Sequence, residues 1–255
     1  MNDWGQLALL LYILARMSGF VLFNPILGRN NIPSLFRVGL ILVLSVSVLP
    51  TVSQAVTVPV GTMELVIRIL LEFAVGFLLG MVMNFFLYIP QLAGEVVDTQ
   101  MGMTMNQIYD AGAQANMSVT GVLLNTLMIL LFFAANGHHT LLRVMMTSGE
   151  LVPYGTAALG NAPLEASLEL FIECTLLALK LCMPILMAEL MGQVGMGILM
   201  KVIPQINVFA INIELKVIIG LGLTFLLIAP FSEFLLDMEK TMLGSLENLL
   251  RLLAQ

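Results

Sequence analysis

Apolar residues run along this chain in long blocks, interrupted by short polar stretches that carry most of its prolines. Six blocks reach or approach the roughly 20 residues that a helix needs to cross hydrocarbon. They are Gln6–Phe23, Leu35–Pro50, Ile67–Ile89, Ser118–Ala135, Leu168–Met191 and Ile213–Leu236. Pro25 and Pro33 mark the first connection, and Pro50 and Pro59 bracket the second. Pro90 is expected to close the third run, and Pro163 sits where a first helical turn starts. The pattern predicts an all-α fold of membrane-associated helical hairpins, read as one domain over residues 1–255.

The last stretch follows another rule. Leu235, Met238, Met242, Leu246, Leu249 and Leu253 recur at steps of three and four, with Glu239, Lys240, Glu247 and Arg251 between them. This predicts a C-terminal amphipathic helix, packed on a partner, lying at the interface or covering the chain's own bundle. Near the N-terminus, Asp3 replaces a basic leader region and no small-residue cleavage site follows. The first run is therefore expected to stay as a membrane helix, with Trp4 as an interfacial anchor. Basic residues fix no orientation: with Arg29 and Arg37 on the cytoplasmic side, Arg143, Lys240 and Arg251 fall opposite.

Composition agrees with the pattern. Apolar residues make up 59% of the chain and charged ones only 10%, against about 25% charged in soluble domains. Mean hydropathy is +1.01, and lipid is the expected solvent. A net charge of −6 with ten Lys and Arg argues against nucleic acid, which needs basic patches. Cys174 and Cys182 lie within an apolar run at a spacing that suits neither zinc nor a disulfide framework, so both are expected as buried free thiols. Adjacent His138 and His139 project about 100° apart on a helix and cannot share a metal in the usual i, i+4 manner. No hydrolase, P-loop or zincin motif occurs. Neither enzyme activity nor a cofactor is expected.

Polar groups inside the runs are the candidates for function. Glu72 lies in the third run; Glu173 and Lys180 lie in the fifth. A charge at a helix centre costs about 2.5–3.5 kcal/mol on insertion scales unless it is paired or snorkels. Glu169, Glu173 and Lys180 share one helical face, which therefore meets a partner helix or water. Either a proton or ion relay, or a polar clamp within or between subunits, satisfies that requirement. A relay of Glu72, Glu173 and Lys180 would make the chain an ion-coupled secondary transporter.

The connection from Pro90 to Met117 mixes amides, acids and glycines with Met101, Met103 and Met105. It reads either as a re-entrant segment or pore plug, or as an ordinary extramembrane loop. Methionines number nineteen; Met183, Met187 and Met191 form a stripe that could be a compliant seal or plain helix packing. A second break, Lys201-Val-Ile-Pro204-Gln205-Ile-Asn207-Val-Phe209, sets a cation, a proline and two amides between apolar runs. Unsatisfied polar groups in hydrocarbon cost several kcal/mol, so this break must reach water, pack inside protein or line a passage.

Taken in order, these interruptions resemble one family, the flagellar biosynthetic protein FliR and its type III secretion relatives, over most of the chain. Its opening resembles Arg16-Met-Ser-Gly19, Asn24-Pro25-Ile26 and Ile32-Pro33; its middle loop resembles Gln91-Leu-Ala-Gly94 through Gln100-Met101-Gly102. Asn136-Gly137-His138 with Pro153, then Pro204, Gln205, Asn207 and Phe209, then Leu215-Lys216 and Gly220-Leu-Gly222, are similar to its later motifs. There are two departures. Many relatives have Asp-Pro-Xaa-Xaa-Gly in the middle loop, where this chain has Asp110-Ala111-Gly112, and often a proline before the final Lys-like position, where this chain has Ile213-Glu214-Leu215-Lys216.

The resemblance implies a non-enzymatic subunit of the flagellar protein export gate in the bacterial inner membrane, at the flagellar basal body. It implies assembly with P-type and Q-type membrane subunits and the export switch protein, around a pore for unfolded substrates. It further implies a plug involving Met101, Gly102, Met103, Met105, Asp110, Gly112 and Met117. Arg16, Glu72, Glu169, Glu173, Lys180, Lys201 and Lys216 would then be polar contacts within the bundle or between subunits. Its helical hairpins need not each cross the bilayer.

Overall fold

A computed structural model of the chain describes residues 3–28, 32–52, 61–103, 118–157, 160–202 and 208–254. Among these residues there are eight α-helices, one short 3-10 turn and no strand. The helices are α1 (Asp3–Phe23), α2 (Ser34–Val48), α3 (Thr62–Met101), α4 (Val119–Ala134), α5 (Gly137–Leu151), α6 (Asn161–Val202), α7 (Val208–Leu226) and α8 (Ile228–Leu253); the 3-10 turn is Leu49–Thr51. The fold class is all-α, as the hydrophobic runs predict.

Two boundaries differ from the sequence expectation. Pro90 does not close the third run, because α3 continues through it to Met101. Proline removes one backbone donor, here the one that would serve the Phe86 carbonyl, but ending the helix at this point would leave several more backbone groups unpaired in apolar surroundings. The connection expected from Pro90 thus starts only after Met101, where Gly102 takes a left-handed φ of +81°. The sixth run breaks at Leu227, so its two ends belong to α7 and α8.

Among the described residues, three helices are long and apolar enough to cross a membrane, Trp4–Phe23, Thr62–Met101 and Asn161–Val202. The count rises to five if two interrupted pairs, α4 with α5 and Glu214–Leu226 with α8, each act as one span. The second run forms only the 15-residue α2, too short to cross. By contrast α3, with 40 residues, and α6, with 42, have contour lengths of roughly 60 Å at 1.5 Å per residue. That is about twice the hydrocarbon thickness, so a straight crossing would take up only about half of either helix.

The chain divides into two compact units. Unit 1 comprises residues 1–86, 136–172 and 239–255. Here α1 buries Tyr12, Ile13, Met17 and Phe20, and α2 packs on α1 through a face that includes Ile41, Leu44 and Val48. A Cβ on Gly76 of α3 would collide with the Arg16 carbonyl, and one on Gly19 with the Phe73 carbonyl. Hydrogen at these two positions lets the helix backbones touch, as small residues do in membrane helix pairs. Phe23 closes the crossing edge-on to Phe77, with ring centroids 4.6 Å apart.

Unit 2 comprises residues 87–135 and 173–238. In it α3 meets α4 where a Cβ on Gly94 would overlap the Gly121 backbone. Cys174, Ala178, Cys182, Ile185 and Glu189 form a buried stripe along α6, and both cysteines are free. The apolar stripe of α8 is buried in both units, Leu235 and Met238 in this one and Met242, Leu246, Leu249 and Leu253 in unit 1. Of the three roles open to that amphipathic helix, covering its own bundle is the one observed.

Candidate functional site

Unit 1 holds a buried polar node. Arg16 on α1 and Glu72 on α3 are both completely buried and form an ion pair, with Arg16 Nη2 2.7 Å from Glu72 Oε2. Arg16 Nε donates to the same oxygen at 2.7 Å. The remaining guanidinium donors reach the Val152 carbonyl at 3.0 Å and Ser148 Oγ at 3.4 Å. Glu72 Oε1 accepts from the Gly155 amide at 2.7 Å. The guanidinium carbon lies 4.2 Å from the Tyr154 ring centroid, a cation–π arrangement. Burial pushes the Tyr154 phenol above its usual range, with the Arg16 charge pulling the other way.

The node ties α1, α3, α5 and the 152–155 turn together. A charge pair taken out of water is tolerated only when its remaining hydrogen-bonding capacity is also met, and here both carboxylate oxygens and all three guanidinium nitrogens are engaged. Beside it, Arg68 donates to the Gly155 carbonyl at 3.1 Å and pairs with Glu64 one turn away. At the end of α1, Asn24 Oδ1 accepts from the amides of Ile26 and Leu27 at 2.8 and 3.0 Å. That turn carries Pro25 of the family pattern.

Unit 2 holds the second group. Asp98, near the end of α3, is 2% exposed. Its Oδ2 accepts from Ser118 Oγ at 2.7 Å and from the Thr120 amide at 3.2 Å. Met101 is fully buried; its side chain lies against Gly220 of α7, where a Cβ would overlap it. The α6–α7 hairpin register is visible in two contacts. Lys216 Nζ lies 3.5 Å from Gln193 Oε1, and Ile219 approaches Gly192. This register sets buried Glu189 about one helical turn before Gln193 on the same strip of α6.

Of the residues singled out from sequence, Arg16 and Glu72 come together, and Lys216 meets Gln193. Glu169, Glu173 and Lys180 are exposed on α6, and Lys201 is exposed near its end. They share their helix surface with Leu168, Phe171, Ile172, Leu176, Leu179, Met183 and Met187, all of which are exposed. Gly102 and Met103 follow the end of α3; Gly94 is buried and Gln100 half-buried. Gly137 opens α5 behind Asn136, whose φ is +61°, and the His138 and His139 rings lie 4.1 Å apart. Phe209 belongs to α7. Met105, Asp110, Gly112, Met117, Pro204, Gln205 and Asn207 lie outside the described residues.

Sequence reasoning missed Asp98, Ser118, Ser148, Tyr154, Gly155 and Glu189. For Asp98 and Ser118 a signal existed: Ser118 stands immediately before an apolar run, as an N-cap does. For Glu189 it lay in the charge itself, a carboxylate inside an apolar run.

Fold and sites together define a helical membrane protein in which the charged groups enclosed within unit 1 serve packing. The chain matches the pattern of the family described as bacterial export proteins, family 1, over residues 7–242, and it belongs to that family. It is 27% identical to the flagellar biosynthetic protein FliR of Escherichia coli (strain K12), covering 92% of this chain and 91% of that one. It is 22% identical to FliR of Bacillus subtilis (strain 168), covering 95% and 94%. Similarity extends to the Yop proteins translocation protein T of Yersinia pestis, 27% identical over 84% of each chain. Members of this family are non-enzymatic components of the flagellar and type III secretion export apparatus in the bacterial inner membrane, and the chain is one of them.

Proposed function

We propose that the chain is a core subunit of the flagellar export gate, assembled with P-type and Q-type membrane proteins around a pore for unfolded substrates. The export switch protein of the same apparatus binds the assembled gate. In this assembly the two units act as one membrane domain. The observation that carries the proposal is the exposed face of α6. Glu169, Glu173 and Lys180 interrupt a surface of large apolar side chains. Lipid would penalise each charge by about 2.5–3.5 kcal/mol at mid-depth, whereas a neighbouring subunit can pair them. Segment 101–117 is the plug of the closed pore, with Met101 anchoring one end against Gly220.

Glu72 weighs against the ion-coupled transporter. It is fully buried, ion-paired to Arg16 and hydrogen-bonded to the Gly155 amide, which suits a fixed structural pair better than a carboxylate that takes up and releases a proton. Copurification tests the assembly: the tagged chain should bring down the P- and Q-type proteins, and Lys180→Glu should lower their recovery severalfold. Undiminished recovery contradicts the role given to Lys180; failure of the parent chain to recover either protein contradicts the gate. Replacing Thr104–Asn116 by a short Gly-Ser linker should make the assembled complex leak ions, and unchanged conductance would remove the plug.

A further inference from the structure

The two flanks of segment 104–117 converge on one side chain. Asp98 sits in the last turn of α3, nearly sealed from solvent. Its main-chain carbonyl accepts from the Met103 amide at 3.0 Å, and the Gly102 amide returns to the Thr99 carbonyl at 3.1 Å. These two bonds, with Gly102 at a φ of +81°, are the Schellman ending of a helix. The Asp98 carboxylate reaches across to the far flank, to Ser118 Oγ at 2.7 Å and the Thr120 amide at 3.2 Å. Ser118 Oγ in turn accepts from the Gly121 amide at 2.9 Å, capping α4. One residue therefore lends its carbonyl to the helix ending before the segment and its carboxylate to the cap of the helix after it.

Two features make the arrangement specific. The α3 and α4 backbones meet at Gly94 and Gly121 without room for a Cβ, which fixes the distance the carboxylate must bridge. A carboxylate also accepts several bonds through one oxygen, so Oδ2 can serve a hydroxyl and an amide together. Its bonds to donors are charge-assisted, roughly twice as strong as neutral ones. Tying the ends of a segment also restricts the conformations open to it.

We propose that Asp98 is the positioning residue of the α3–α4 corner, clasping both flanks of segment 104–117 so that its ends cannot separate. Its consequence for ion leakage rests on the plug function proposed above; the clasp itself does not. Asp98→Ala frees Ser118 and Thr120 while leaving the Schellman bonds, which use only main-chain atoms. Ser118→Ala removes one bond and the cap. Asp98→Asn keeps one acceptor oxygen but places an amide where Oδ1 is buried without a partner.

The test is amide hydrogen exchange and ion conductance of the assembled complex. Exchange at the Thr120 amide, which donates to Asp98, should accelerate by roughly ten- to a hundredfold in Asp98→Ala and less in Asp98→Asn. Exchange at the Gly121 amide, which donates to Ser118 Oγ, should rise most in Ser118→Ala. Conductance should rise most in Asp98→Ala. Combined with the Gly-Ser replacement of Thr104–Asn116, Asp98→Ala should add no further leak. Unchanged exchange in Asp98→Ala and Ser118→Ala overturns the clasp whatever the conductance does. Faster exchange without leak, in a complex that leaks when Thr104–Asn116 is replaced, overturns the positioning role. If the replacement itself causes no leak, the plug is lost instead, and exchange alone decides the role of Asp98.

Discussion

Replacing Arg16 by Met keeps most of the side chain's length and removes its charge. The loss includes both contacts to Glu72 Oε2, the bond to the Val152 carbonyl, the longer bond to Ser148 and the cation–π contact with Tyr154. Glu72 is left fully buried with only the Gly155 amide. An uncompensated buried charge costs about 3–5 kcal/mol, and the orphaned Val152 carbonyl adds about 1–3 kcal/mol. Glu72→Leu strands the guanidinium in the same way and should cost a comparable amount. In the double variant neither charge remains, and only the Val152 carbonyl and the Gly155 amide are orphaned. Its destabilisation should fall short of the sum of the single effects by at least about 2 kcal/mol. Urea unfolding in detergent micelles, followed by circular dichroism, measures all three. Additivity within about 0.5 kcal/mol would refute the view that the node acts as one unit.

Other consequences are local. Gly76→Val drives a branched side chain into the Arg16 carbonyl, and should destabilise by at least about 3 kcal/mol, the upper end of the usual range for overpacking; the same urea titration checks it. Folded Tyr154 keeps its proton where an unfolded tyrosine, with a pKa of about 10, loses it. The stability this contributes is present below that pH and fades as pH rises through the higher folded value, and tyrosinate absorbance of the parent minus Tyr154→Phe should show the late titration. Truncation after Asp237 uncovers the core that Met242, Leu246, Leu250 and Leu253 bury, so the chain itself should lose its cooperative unfolding transition. A truncated chain that melts normally and lacks only partner binding would reassign α8 to an interface.

Much of the architecture was legible because an apolar run of membrane length has few alternatives to a helix. Pro90 misled, since proline forfeits one helical bond, whereas ending the helix there would leave several backbone groups unpaired in apolar surroundings. The α8 stripe was plain, but periodicity gives the apolar face and not what it covers. Arg16 and Glu72 were each visible as polar residues in oil. Their pairing spans 56 positions, and it depends on the Gly19–Gly76 crossing, which no local pattern encodes. The turn that completes the node, Val152 to Gly155, contributes mainly backbone atoms and left little trace in side-chain chemistry. With Pro90 as the expected helix end, Asp98 falls in a loop, and no local pattern links it to Ser118.

Whether the charges on α6 meet protein or lipid is decided most directly by photo-cross-linking. A photoreactive amino acid placed at Glu173, and separately at Lys180, would be activated in intact bacterial membranes with the whole apparatus present. Adducts with one or both neighbouring gate subunits at each position are the predicted result. Adducts with lipid alone at both would contradict it.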